Sequence, residues 1–218
     1  MKKSIMLIAA MCMTSVMTLA QDIIRVSTDK TDLVMKVSPK GRLYQVYLGD
    51  KFLNPADYNN LKWDVYAASD GSVCQRGHEV YATSGAEDFF EPAVAVTHAD
   101  GNMTTYLYYQ SSEQKAVKGG TETIITLKDK VYPLTVKLHY VAYAKENVIK
   151  AWSEISHKEK APITLWRYSS TMLYFKSSKY YLTNYHSDWA KEGQPETTQL
   201  SSGKKMIDTT LGTRAAMH

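Results

Sequence analysis

The sequence predicts an all-β protein, a large antiparallel β-sandwich (supersandwich) that follows a cleaved signal peptide. Three observations predict it. β-Branched and aromatic residues recur in short runs divided by Gly, Pro, Asn and Asp. Several of these runs alternate apolar and polar residues with a period of two. After residue 21 there is no amphipathic helical pattern of three or more turns.

The leader comes first. "MKKSIMLIAAMCMTSVMTLAQ" opens on Lys2 and Lys3, continues as an apolar run from Ile5 to Ala20, and places small residues Thr18 and Ala20 before Gln21. This is the pattern of a secretory signal peptide over residues 1–20, too short for a membrane span and lacking a basic stop-transfer cluster. Cys12 lies inside the apolar run rather than at its end, which argues against a lipoprotein. The expected location is periplasmic or secreted. Once Lys2 and Lys3 leave with the leader, the formal charge of +4 falls by two. No basic stripe points to nucleic acid, and no second apolar stretch is long enough to cross a membrane. Cys74 is then the one remaining cysteine, so no intrachain disulfide can form and stability must come from a core. Residues 21–218 are expected to form one sandwich domain.

The strands are read in order. "DIIRVST", "DLVMKVS" and "RLYQVYLG" are the first three. "KFLNPADYNNLKWDVYAASDGSVCQRGHEV" breaks the alternation for about thirty residues, and a loop of that length in a compact domain is usually functional or covers something. "AVAVTHADGNMTTYLYY" reads as a hairpin around Asp100, Gly101 and Asn102. "TETIITLKD" is the next strand. "PLTVKLHYVAYAKENVIKAWSEISH" reads as a long hairpin turning at Lys145, Glu146 and Asn147, with Leu134, Val136, Leu138 and Tyr140 on one face. "ITLWRYSSTMLYF" is a further strand, broken near Ser169 and Ser170.

The residues then bound the chemistry. The histidines at 78, 98, 139, 157, 186 and 218 form no i, i+2 pair and no CxxC accompanies them, so no metal site is expected and they read as surface or core-edge residues. There is no P-loop, GxGxxG or GxSxG, and the acidic turns lack EF-hand spacing; no cofactor is expected. Tyrosine and tryptophan (16 and 4) outweigh the 4 phenylalanines. Rings with polar tips suit stacking on sugars, and they also simply favour sheets. In "YHSDWAKEGQPE", Trp189 lies between Asp188 and Glu192 with His186 and Lys191 nearby. One reading is an indole that stacks on a sugar while the acids accept hydroxyl protons. The other is an exposed loop whose Trp189 anchors it to the sandwich.

Three stretches, in order, carry a resemblance: "YATSGAEDFFEPAVAV", "LHYVAYAKENVIKAWSEISHKEKAPITLWR" and "YYLTNYHSDWAKEGQPETTQLSSGKKMIDTTLGTRAAMH". From about Ile23 onward the chain resembles the N-terminal domain of family 36 glycoside hydrolases, the α-galactosidase family. The resemblance implies a β-sandwich set before a (β/α)8 barrel, and retaining hydrolysis of terminal α-linked galactose. Retention uses two carboxylates about 5–5.5 Å apart. In the family both are barrel aspartates, so no catalytic residue is expected in this chain, which reads as truncated before the barrel and inactive alone. The substrate-binding residues implied are Trp189, which would help wall the galactose subsite, and Asp64 in "LKWDVYAAS", which would reach the sugar of a neighbouring subunit; Asp57 is the competitor for that role. Ser187, Asp188, Lys191 and Gly193 depart from the family's arginine-rich motif around Trp189. The implied partners are galactoside oligosaccharides, the missing barrel and, as an open expectation, further copies in a homo-oligomer. A stand-alone carbohydrate-binding module and an oligomerisation domain are the alternative readings.

Overall fold

The computed structural model describes residues 23–62, 78–85, 91–186 and 193–207. The chain divides into two compact units, Met1–Tyr174 and Phe175–His218.

The first unit is built from nine described strands. β1 (Ile23–Ser27), β2 (Thr31–Val37) and β3 (Leu43–Asp50) form an antiparallel sheet in that order. β5 (Leu107–Val117), β6 (Gly120–Asp129), β7 (Leu134–Tyr143) and β8 (Val148–His157) form a second, again in sequence order. β4 (Val94–Thr97) pairs with β9 (Thr164–Tyr168). Residues 78–85 join that pair to the first sheet. Val80 N–H donates to the Leu43 carbonyl at 3.0 Å on one side, and Ala93 N–H donates to the Ala82 carbonyl at 2.8 Å on the other. The expected all-β antiparallel sandwich is thus present.

The alternation seen in the sequence explains which face each strand buries. Leu33 and Met35 of β2 and Ile24 and Val26 of β1 pack in one core with Ile125 and Leu127 of β6 and Leu134, Val136, Leu138 and Tyr140 of β7. Burying each such side chain fully stabilises the fold by about 1.5–3 kcal/mol. Burial also pushes the Tyr140 phenol up to about 12. Two polar ties lock the β7–β8 turn to the β1–β2 turn: Asp29 N–H to the Ala144 carbonyl at 3.1 Å, and the Thr28 hydroxyl to Asn147 Oδ1 at 2.6 Å. Asn147 sits at φ 55, as a tight turn requires.

One expected hairpin is corrected. β4 does not pair with β5; its ladder partner is β9. The turn itself forms, with Gly101 at φ 87 and His98 N–H donating to the Asn102 carbonyl at 2.8 Å. Residues 101–106 then carry the chain away from β4 before β5 begins.

The second unit contributes one described hairpin, β10 (Tyr181–His186) against β11 (Gln194–Gln199), antiparallel from Tyr181↔Gln199 to His186↔Gln194.

Candidate functional site

Trp189 and Asp64, the two substrate-binding residues read from the sequence, lie outside the described residues. The elements that flank each of them are described.

Asp64 falls in the stretch 63–77, and both ends of that stretch are pinned to the first sheet. On the N-terminal side the chain forms a 3₁₀ helix, Pro55–Asn60, whose N-cap Asn54 accepts from Ala56 N–H at 3.1 Å. Tyr58 points from this helix onto β2, where its hydroxyl donates to the Asp32 carboxylate and accepts from Phe52 N–H at 3.0 Å. Burial and the Asp32 bond both raise the Tyr58 phenol. Lys36, two turns of pleat along the same face of β2, donates to the carbonyls of Asn59 and Leu61. Its burial lowers the ammonium below the ordinary lysine value. Asp57, the competitor for the sugar-reaching role, is exposed in the helix's first turn. On the C-terminal side, Gln45 N–H donates to the His78 carbonyl at 2.8 Å. Glu79 then forms a two-point pair with Arg42, Nε to Oε1 at 2.8 Å and Nη2 to Oε2 at 2.7 Å. Burial alone would lower the Arg42 guanidinium; Glu79 outweighs it and raises the pKa above its ordinary value. Of the segment that the sequence marked as covering something, the described 3₁₀ helix lies over β2, and residues 63–77 lie outside the described residues.

Trp189 falls between β10 and β11 in the second unit. Tyr181 and Tyr185 stand four positions apart on one face of β10 and are both exposed, and the Thr183 and Thr197 hydroxyls meet across the ladder at 2.9 Å.

Two of the histidines differ from the expected surface or core-edge role. His98 is buried, with Nδ1 2.8 Å from Glu159 Oε1, Nε2 2.9 Å from Thr105 Oγ1, and its ring stacked on Tyr132 at 3.5 Å. Glu, His and Thr in line have the connectivity of an activated nucleophile. Thr105, however, is 0% exposed, so no substrate carbonyl reaches its hydroxyl. The row is a strut: Glu159 also accepts from Ala99 N–H at 2.9 Å and so ties the turn after β4 to the approach to β9. His139 belongs to a second row on the outward face of the four-stranded sheet. Its Nδ1 lies 2.8 Å from Glu122 Oε1, Lys115 Nζ reaches Glu122 Oε2 at 3.0 Å, and Trp152 stacks on the ring at 4.7 Å. The bonds from His139 and then Lys115 hold the Glu122 carboxyl below its usual range. Among the described residues no group of His, Cys, Asp and Glu could hold a metal ion.

The remaining feature is apolar. Among the described residues β9 pairs with β4, and Trp166 is passed over in that ladder because the register steps from Arg167 to Leu165 across a bulge. Bulges re-aim side chains. The Trp166 indole donates to Thr97 Oγ1 at 2.7 Å, which fixes it, yet it is 68% exposed, and Tyr168 is 69% exposed. Nothing in the sequence distinguished this pair from the buried aromatics of other strands.

The described residues of the first unit thus define an antiparallel β-sandwich that exposes an aromatic pair on β9. The chain belongs to glycosyl hydrolase family 36: the model of that family's N-terminal domain matches residues 41–218. Solved structures similar to it include the galactosidase domain of the α-galactosidase-sucrose kinase AgaSK, at TM-score 0.71 and 22% identity over 84% of this chain. An AgaA α-galactosidase variant from Geobacillus stearothermophilus in complex with raffinose aligns at TM-score 0.71 and 21% identity over 84% of this chain. The α-galactosidase from Lactobacillus brevis aligns at 0.67 and 20% over 85%. In each case the match covers 28% of the other chain. No curated protein matches.

Proposed function

We propose that the chain is the non-catalytic N-terminal sandwich of an exported α-galactosidase that hydrolyses terminal α-linked galactose with retention, and that it is inactive without a (β/α)8 barrel. The observation that carries this reading is the bare strip on β9. Leu165, Trp166 and Tyr168 are 40%, 68% and 69% exposed on a strand whose one ladder partner among the described residues is β4. Leu173 of the same unit adds to the exposed apolar surface. Monomeric proteins rarely leave large contiguous apolar patches to water, and the catalytic barrel is the occupant that suits this one. In this reading residues 1–20 direct export and are removed, leaving 21–218 as the domain. Trp189 walls the galactose subsite of the assembled enzyme, and Asp64 reaches the sugar of a neighbouring subunit in a homo-oligomer. The anchored ends of stretch 63–77 support that role for Asp64, since a residue that must reach outward needs a fixed base.

The coding DNA beyond codon 218 tests the reading. A barrel-encoding sequence, in frame or behind a frameshift, supports it. An unrelated gene following directly overturns it in favour of a stand-alone secreted carbohydrate-binding module, the reading that the exposed Tyr181 and Tyr185 of β10 favour.

A further inference from the structure

β1 is an edge strand: among the described residues its one ladder partner is β2. Two bonds fix the phase of its other edge. Thr28 N–H donates to the Thr31 carbonyl at 2.9 Å and so faces β2, as do Val26 and Ile24 by alternation. The Arg25 carbonyl points the opposite way and accepts from Gln114 Nε2 at 2.9 Å. The backbone groups of Ile23, Arg25 and Ser27 therefore line the outer edge, and apart from that Gln114 bond they have no partner among the described residues.

This edge opens on a cleft of about 720 Å³. The floor of the cleft is the inward face of the β5–β6 hairpin. Ile125 and Leu127 of β6 lie in the core; Thr123 and Thr121 continue their face toward the hairpin turn, with Ser112 and Gln114 of β5 beside them. The core thus ends in a polar floor that runs on past β1, and Pro55 and Asn59 of the 3₁₀ helix also line the cleft. An extended chain laid there would pair with β1 and rest on that floor as a fourth strand of the first sheet. A row of unpaired backbone donors and acceptors at two-residue spacing is matched best by another backbone. The five residues of β1 present about 17 Å of edge, enough for a partner of like length. The Gln114 amide already stands where such a partner's N–H would meet the Arg25 carbonyl.

Charge then narrows the partner. The Arg25 guanidinium lies over the Tyr58 ring, 4.8 Å from its centroid, and among the described residues no carboxylate is paired with it. Glu113 alternates with Ser112 and Gln114 and shares the outward face of β5 with Lys115, which leaves Arg25 to set the charge of the cleft. A residue paired directly with Arg25 puts its side chain on the same face, where an acid is favoured. Its two neighbours point to the floor, where hydroxyls and an amide suit small polar side chains.

We propose that β1 takes an acidic peptide segment as an added strand, with a carboxylate opposite Arg25 and small polar side chains over Ser112, Gln114, Thr121 and Thr123. The site uses neither Trp189 nor Asp64 nor the β9 strip, and the inference goes beyond the proposed function.

A blocked pentapeptide alternating threonine with glutamate, titrated into residues 21–218 and followed by NMR, tests it. Saturable binding at about millimolar affinity is expected, with the Arg25 and Ser27 amides exchanging more slowly in its presence. The counterpart with lysine in place of glutamate binds about two- to fivefold more weakly, and Arg25→Glu inverts that order. Gln114→Ala frees the Arg25 carbonyl and tightens binding by about two- to tenfold. Ser27→Pro removes an outer-edge N–H that no ladder bond uses; it abolishes binding and keeps the melting curve. No saturable binding, equal binding of the two peptides, or binding that survives Ser27→Pro overturns the inference. Dimerisation of the chain that Ser27→Pro abolishes, with no peptide bound, assigns the edge to a second copy and overturns it as well.

Discussion

Replacing Glu79 by alanine leaves a buried guanidinium without its partner. Arg42, just before β3, and Glu79, in the segment that follows stretch 63–77, are 9% and 6% exposed, and two parallel hydrogen bonds join them. Removing one member of a buried pair costs about 3–5 kcal/mol, because the other stays desolvated and unpaired. The rings of Tyr106 and Tyr108, with centroids 5.5 and 5.6 Å from the guanidinium carbon, retain part of the electrostatic stabilisation and place the loss near the lower end. For a domain of this size a loss of about 3 kcal/mol lowers the melting temperature by roughly 6–12 °C. Urea and thermal unfolding followed by circular dichroism measure it. Arg42→Met with Glu79→Leu strands no charge and should return to within about 1–2 kcal/mol of the natural protein. A cost below about 1 kcal/mol for Glu79→Ala is the behaviour of a solvent-exposed pair and would refute the clamp.

Two further predictions concern acid and close packing. Glu122 has a folded pKa depressed by His139 and Lys115; burial alone would raise Glu159, and its bonds to His98 and Ala99 N–H outweigh that and lower it. Each therefore contributes stability that is complete above the unfolded value of about 4.3 and is lost as pH falls through the lower folded value. Glu122→Gln should flatten the acid limb of the stability–pH curve below about pH 4, and an acid limb unchanged in both Glu122→Gln and Glu159→Gln would contradict the two histidine rows. Gly120→Ala would place a Cβ 2.4 Å from the Ala142 carbonyl oxygen, a backbone atom that cannot swing aside. The β5–β6 turn must shift, with an expected loss of about 1–3 kcal/mol by urea unfolding; a neutral substitution would show that the strands approach less closely than described.

The parts of the fold legible in the sequence are those whose signals are local. β7 and β8 could be read because the turn between them carries Asn147 at positive φ and both runs alternate. The turn around Gly101 was legible for the same reason, but not the partner of β4. Alternation says which face of a strand is buried and not which strand lies beside it, and β9 arrives only after the four-stranded sheet is complete. The histidine rows were equally hidden, since His98 and Glu159 stand 61 residues apart and neither belongs to a motif. Trp166 and Tyr168 look like any strand aromatics until the topology gives β9 one neighbour among the described residues. Asp64 came from the family resemblance and Trp189 from its acidic context and that resemblance together, and the structure describes the elements that bracket them.

The proposed function assigns architecture to residues 21–218 and the chemistry to a (β/α)8 barrel. Turnover of a chromogenic α-galactoside by purified residues 21–218 tests that reading most directly. The account predicts no hydrolysis above the uncatalysed background at any enzyme concentration. Sustained turnover that scales with the amount of chain would contradict it.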